Sequence, residues 1–262
     1  MITPNAKLLF ADMDGTALRR RKDEPTQRVT DAVVEFEDQG GIFVPVTTRS
    51  DALMKRAAAS MRLRGLGVLD GGATIFNFAT AQRLPEYTRW LGLDKIRKIV
   101  SAIGPLCTEI SYEVKYRAQN PKDVVIAAIT EAAPSVFVVF ENDHEETIAE
   151  RVRELEVDGH PNAYEDSATH RCMQIVYAGV GKQAGIKTLL DGPYADIAPH
   201  NTAGIGDGET DLRIYAALPD GATKLAMDNA HPSLIAAADY VVPHVDNDGL
   251  QVAIDGFMRG AY

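Results

Sequence analysis

Residues 7–16 read KLLFADMDGT, a short apolar run broken by two acids and a glycine. Leu8, Leu9, Phe10 and Ala11 form a run that suits a strand covered on both faces, although a short buried helix segment would read alike. Gly15 and its polar neighbours favour the strand. Asp12 and Asp14 then stand just past its carboxyl end, where ligands collect in open parallel sheets. Asp beside Gly is also ordinary turn chemistry, since Asp bonds its own backbone and Gly takes unusual dihedrals. A calcium loop starting at Asp12 would need Gly at its sixth position and Glu at its twelfth. The chain has Ala17 and Asp23 there.

Working outward, Val29, Ala32, Val33 and Phe36 recur at helical spacing between Thr26 and Gly40. Ile42–Val46 is rich in β-formers and runs into Thr47, Thr48, Arg49 and Ser50. Strand, helix and strand with short loops imply a right-handed crossover and a parallel pair, so Asp12 and Thr47 share one edge. A helix is expected over 51–64, a third strand over 67–69 before Asp70-Gly71-Gly72, and a small hairpin within 73–78. From about residue 84 the character changes. A helical segment to Ile103, a helix over 123–133, strands over 135–140 and 172–177, an acidic helix over 145–156 and a loop over 161–167 describe an inserted α+β module. After Gly179 the alternation returns. It has a helix from Lys182 to Leu190, a strand over 202–205 entering GDGETD at 206–211, and three further helices around two strands. The expected organisation is therefore an α/β core of residues 1–83 and 178–262 with an inserted α+β domain over 84–177.

At 262 residues the chain can bury a sizeable core without staples. A 45% hydrophobic and 24% charged composition is that of a globular protein, not a disordered one. A net charge of −10 argues against a nucleic-acid partner. No apolar stretch approaches the ~20 residues of a membrane span. Cys107 and Cys172 lie far apart, and no basic-then-apolar leader opens the sequence, so a cytoplasmic protein with reduced thiols is expected. The basic run Arg19, Arg20, Arg21 and Lys22 reads as a solvated loop. None of the six histidines has paired zinc-ligand spacing.

The acids make sense together with a cation. A phosphate ester repels nucleophiles, so its cleavage depends on cancelling charge and aligning an in-line attack. Mg²⁺ takes oxygen ligands and commonly one or two carboxylates, which Asp12, Asp207 and Asp211 can supply. Asp12 can then serve as nucleophile, and Asp14 can protonate the leaving oxygen and later activate water. Lys182, the Thr47 hydroxyl and backbone N–H groups near Met13 and Gly15 are candidate holders of the phosphoryl oxygens. Taken singly, Lys182 reads as a solvated lysine, Thr47 as a strand-end hydroxyl, and Asp207 with Asp211 as a helix N-terminal pair.

DMDGT at 12–16, Thr47 after a hydrophobic strand, Lys182 opening a helix and GDGETD at 206–211 resemble, in order, the four motifs of the haloacid dehalogenase superfamily. With a large insert between the second and third motifs, and with LAMDNAHPSLIAAADYVV and DNDGL near the end, the chain is similar to its Cof-type and sucrose-phosphatase-like phosphatases. The resemblance implies a Rossmann-like core, an inserted cap domain, Mg²⁺ dependence and hydrolysis of a small phosphomonoester, commonly a sugar phosphate. It implies Asp12 as nucleophile, Asp14 as general acid/base, and Thr47 and Lys182 as phosphoryl binders; Thr48 and the backbone at Met13 and Gly15 complete the expected phosphate-binding set. Asp207 is the implied metal ligand, and Asp211 binds the metal directly or through water; Asp12, Asp14, Asp207 and Asp211 form the expected metal set. Thr48 replaces the family's Gly, Thr210 an Asn, Asp70 an Asn, and Gln174 an acid. Lys115, Arg117, His170 and Arg171 are polar candidates for substrate contact in the insert. A phosphomutase passing the same aspartyl phosphate to a sugar hydroxyl, and a silent sugar-phosphate sensor, are the alternatives. Oligomeric state is not legible.

Overall fold

The structure is a computed structural model that describes residues 5–20, 22–112, 116–118, 131–161 and 169–262. The chain begins with β1 (Leu8–Ala11), α1 (Gln27–Asp38), β2 (Ile42–Pro45) and α2 (Asp51–Ser60). Next come β3 (Leu66–Leu69), β4 (Thr74–Asn77), β5 (Gln82–Arg83), α3 (Leu93–Ile103), β6 (Cys107–Tyr112) and β7 (Tyr116–Ala118). β8 (Ser135–Glu141), α4 (Glu145–Glu154), β9 (Val157–Pro161) and β10 (His170–Tyr177) follow. The last third holds α5 (Lys182–Leu190), β11 (Thr202–Gly206), α6 (Leu212–Tyr215), β12 (Thr223–Met227), α7 (Pro232–Ala237), β13 (Tyr240–Val242) and α8 (Gly249–Met258). Two compact units result: Met1–Leu84 with Lys182–Tyr262, and Pro85–Gly181.

The first unit is built on a five-stranded sheet in the order β13-β12-β11-β1-β2, parallel throughout. Its strand β1, between β11 and β2, is wholly buried, as four consecutive apolar residues require when both faces are covered. The register sets Ala11 opposite Ile205 on one side and Pro45 on the other. The residues that leave the three strands, Asp12, Asp207 and Thr47, therefore emerge side by side at one edge. α1 forms because Val29, Ala32, Val33 and Phe36 make one buried stripe. Thr26 caps its start through Oγ1, and the Gly41 N–H returns to Phe36 O at 2.8 Å to close its end.

β3 departs from the expected alternation. It pairs antiparallel with β4 in a separate three-stranded sheet, β3-β4-β5, and meets the parallel sheet at a Val46–Val68 bridge. The hairpin thus spans β3 and β4 rather than residues 73–78.

The second unit is an antiparallel sheet in the order β7-β6-β8-β10-β9. Ile96, Ile99 and Ile103 of α3 and Ile148 and Val152 of α4 share a core with Val136, Val138, Phe140, Met173 and Ile175. Each such side chain contributes roughly 1.5–3 kcal/mol by burial. Most of the helix expected over 123–133 lies outside the described residues. Its last residue, Ala133, is not helical but bridges Leu91. Most of the expected loop over 161–167 also lies outside them, but Pro161 closes β9. β6, β7 and β9 were not anticipated. The fold is an α/β protein with a Rossmann-like parallel core and an inserted α+β unit.

Candidate active site

Past β1 the chain turns sharply. Met13 O accepts the Ala17 and Leu18 N–H groups at 3.0 and 2.7 Å, and the Gly15 N–H donates to Leu18 O at 2.7 Å. Gly15 sits at φ +88°, and a Cβ there would fall 2.2 Å from Asp207 Oδ2. Only glycine permits both the dihedral and the contact. The Gly15 N–H, one of the donors expected at a phosphate, is committed to this turn instead.

Lys182 opens α5 and is buried. Its Nζ donates to Asp12 Oδ1 at 2.5 Å and to Asp211 Oδ1 at 2.6 Å. α5 can bring it there because Gly185, one turn on, lets the helix press against β3; a Cβ at 185 would lie 2.4 Å from Val68 Cγ1. The other oxygen of Asp211 accepts from the Asp207 and Gly208 N–H groups at 3.1 and 2.9 Å. Asp211 thus takes three donors, and it ties the lysine to the turn after β11. Asp207 takes the Thr16 hydroxyl on Oδ1 at 3.2 Å.

The carboxylate oxygens of Asp12, Asp207 and Asp211 offer one atom each within 4.8 Å of one another. With all three carboxylates ionised, the Lys182 ammonium leaves the group with two negative charges uncompensated. Burial first, and then the Asp211 charge, raise the Asp12 carboxyl well above its ordinary value against the pull of Lys182. Burial and Asp211 likewise push Asp207 up to about 7, opposed by the Thr16 hydrogen bond. Burial would push the Lys182 ammonium down, but Asp12 and Asp211 outweigh it and its pKa is raised. A hard, all-oxygen donor set with two uncompensated charges fits a divalent cation such as Mg²⁺.

Asp14 lies outside that group of three. Both of its oxygens accept from Arg49, Oδ2 from Nε at 2.9 Å and Oδ1 from Nη2 at 2.7 Å. Arg49 also reaches Asp23 Oδ1 at 3.2 Å and Lys22 O at 2.9 Å. It is buried at the start of the loop into α2, whose N-cap is Ser50. Thr47 is buried too, and its Oγ1 accepts the Arg49 N–H at 3.1 Å, which leaves the hydroxyl hydrogen to point elsewhere. Thr48 is half-buried in the same turn. The Asp70 and Gly71 N–H groups clamp this loop by donating to Arg49 O and Thr47 O, both at 3.0 Å.

The structure thus gathers Asp12, Thr47, Lys182, Asp207 and Asp211 at one edge and sets Asp14 against Arg49. Sequence reasoning gave no role to Arg49, Thr16 or Asn229. Arg49 carries a charge in a strand-to-helix loop, which is a signal, but its partner lies 35 residues earlier. Of the candidates in the insert, Lys115 lies outside the described residues and Arg117 sits on β7. Arg171 faces Glu145 at 3.8 Å, and His170 Nδ1 meets Thr169 Oγ1 at 2.8 Å. Gln174 is buried and donates to Ser135 Oγ at 2.9 Å. No helix among the described residues is long and apolar enough to cross a membrane.

Acids, lysine and threonine thus converge at the carboxyl edge of a parallel sheet, with the buried Lys182 among the oxygens. The chain belongs to the haloacid dehalogenase-like hydrolase family, whose profile matches residues 106–254. That stretch holds Lys182, Asp207 and Asp211, while Asp12, Asp14 and Thr47 precede it. The chain is 24% identical over 272 residues to the Bacillus subtilis (strain 168) protein named "Putative phosphatase YkrA", covering 95% of this chain and 97% of the other. A haloacid dehalogenase-like hydrolase from Bacteroides thetaiotaomicron superposes with a TM-score of 0.78 at 19% identity, over 95% of this chain and 98% of that one. BT4131, described as a subclass IIB sugar phosphatase, superposes at 0.73 with 17% identity, over 97% and 99%. At such identities the two structures speak for the fold.

Proposed function

We propose that this protein is a Mg²⁺-dependent phosphatase that hydrolyses a small phosphomonoester, a sugar phosphate above all, through an aspartyl phosphate on Asp12. The observation that carries the proposal is the cluster of Asp12, Asp207 and Asp211 around Lys182 at the ends of neighbouring parallel strands. The name of the YkrA relative and the description of BT4131 support the reaction and the substrate class respectively.

Asp12 attacks phosphorus in line as the bond to the leaving oxygen breaks, and Asp14, with one oxygen released from Arg49 and carrying the proton, gives that proton to the leaving oxygen. Asp14, now a carboxylate, takes a proton from water as the water oxygen attacks the aspartyl phosphate. Inorganic phosphate departs and Asp12 is restored. Lys182 and the Thr47 hydroxyl hold phosphoryl oxygens, while Arg49 fixes the orientation of Asp14. Asp12 and Asp207 would hold Mg²⁺, which when bound supplies cancellation of the phosphoryl charge. Asp211, which already takes Lys182 and two N–H groups, is the third acid of that group. The inserted unit serves as the cap that selects the substrate.

Steady-state phosphate release from a panel of sugar phosphates, with Mg²⁺ and with chelator, tests the proposal. The wild type is expected to turn over only with Mg²⁺, and Asp12→Asn is expected to lose activity by at least about 10³-fold. Metal-independent turnover or an unaffected Asp12→Asn variant would overturn it. An isomeric sugar phosphate with little free phosphate would mark a mutase instead.

A further inference from the structure

The turn after β12 meets both Gly15 and Asp207. Asn229 Nδ2 donates to Gly15 O at 2.9 Å and lies 3.4 Å from Asp207 Oδ2. Its Oδ1 accepts the Val245 N–H at 2.8 Å. A backbone N–H can only donate, so this contact settles which way the amide faces: the oxygen meets Val245 and the NH₂ meets the two oxygens. Two residues on, the His231 N–H donates to the Asp207 backbone O at 2.7 Å. The same turn therefore grips Asp207 by main chain and by side chain while holding the carbonyl of Gly15. Gly15 and Asp207 touch directly, with no room even for a methyl group between them.

We propose that Asn229 is a positioning residue, whose amide N–H groups hold the Gly15 peptide and the Asp207 carboxylate in one fixed relation. The inference rests on the phosphatase proposal for its kinetic consequence and on hydrogen bonding alone for its geometry. Gly15 lies in the turn that aims Asp12 and Asp14, so a shift of that peptide displaces the nucleophile from the acid after β11. A misplacement on the order of 1 Å costs about 10²-fold in rate.

Asn229→Asp separates this role from simple bracing. Aspartate keeps an acceptor for the Val245 N–H and the size of the side chain, but turns an oxygen toward Gly15 O and Asp207 Oδ2. At about pH 8, where an ordinary carboxyl is ionised, that contact is repulsive. The expected result is a fall in kcat of roughly 10–100-fold with KM changed less than about threefold. Asn229→Ala is expected to fall no further than the aspartate variant. In the metal-free protein the Thr16 amide resonance, across the peptide from Gly15 O, is expected to shift in Asn229→Asp, with the melting temperature lowered by a few degrees and the variant folded at the assay temperature. If the side chain merely pins Val245, the aspartate variant keeps wild-type kcat and an unmoved Thr16 resonance, and the inference is overturned. Wild-type turnover abolished by Asp12→Asn is the control. Its absence sinks the phosphatase proposal, whereas an active wild type with an equally active Asn229→Asp sinks only this one.

Discussion

Arg49 holds Asp14 with two parallel hydrogen bonds, at 2.9 and 2.7 Å, while its third nitrogen reaches Asp23. A guanidinium offers this planar fork and an ammonium does not. Arg49→Lys keeps the charge but frees Asp14 to rotate. It is expected to lower kcat by about 10–100-fold with KM nearly unchanged, since the contact orients a catalytic group rather than the substrate. Steady-state kinetics on the best substrate, with a melting curve to exclude unfolding, check this; equal kcat values would remove Arg49 from the mechanism.

The acid cluster makes a signed prediction for the metal-free protein. Asp207 titrates near 7 in the fold against 3.8 for an ordinary carboxyl, and Asp12 is raised as well. A carboxyl that binds its proton more tightly when folded contributes stability that is complete below the ordinary value and is lost as pH rises through the folded one. In chelator, Tm is therefore expected to fall by roughly 2–6 °C between about pH 5.5 and 8. Asp207→Asn should flatten most of that slope. Mg²⁺ should stabilise more at the higher pH, where the acids are ionised. Calorimetric scans across pH would contradict this picture if Tm rose with pH in chelator.

Gly185 and Val68 form the third test. A methyl group at 185 would lie 2.4 Å from Val68 Cγ1, and α5 carries Lys182 one turn earlier. Gly185→Ala is expected to push α5 outward, move Nζ from Asp12 and cost about 1–3 kcal/mol by overpacking. Val68→Ala opens space for that methyl group, so the double variant should recover much of the lost activity. Failure of the double variant to exceed Gly185→Ala would show that the helix contact does not set the lysine.

Local chemistry made much of this protein legible in its sequence. Four apolar residues before Asp12 announce a strand covered on both faces, and the stripe from Val29 to Phe36 with Thr26 before it announces α1. The order of acids, Thr47 and Lys182 pointed to the chemistry. The family profile agrees at the level of a haloacid dehalogenase-like hydrolase. What lay out of reach depends on partners distant in the chain. β9 carries Gly and Pro and becomes a strand because β10 offers it hydrogen bonds, and β3 leaves the alternation because β4 pairs with it. The stretch KLLFADMDGT determined by itself that two acids stand at a strand end. Only the tertiary structure decided that Asp12 meets Lys182 from 170 residues away, that Asp14 faces Arg49, and that Asn229 holds Gly15 across 214 residues. Strand formation is a short-range balance of burial and dihedral preference, whereas the division of work between two carboxylates depends on which charges the fold brings within hydrogen-bond distance.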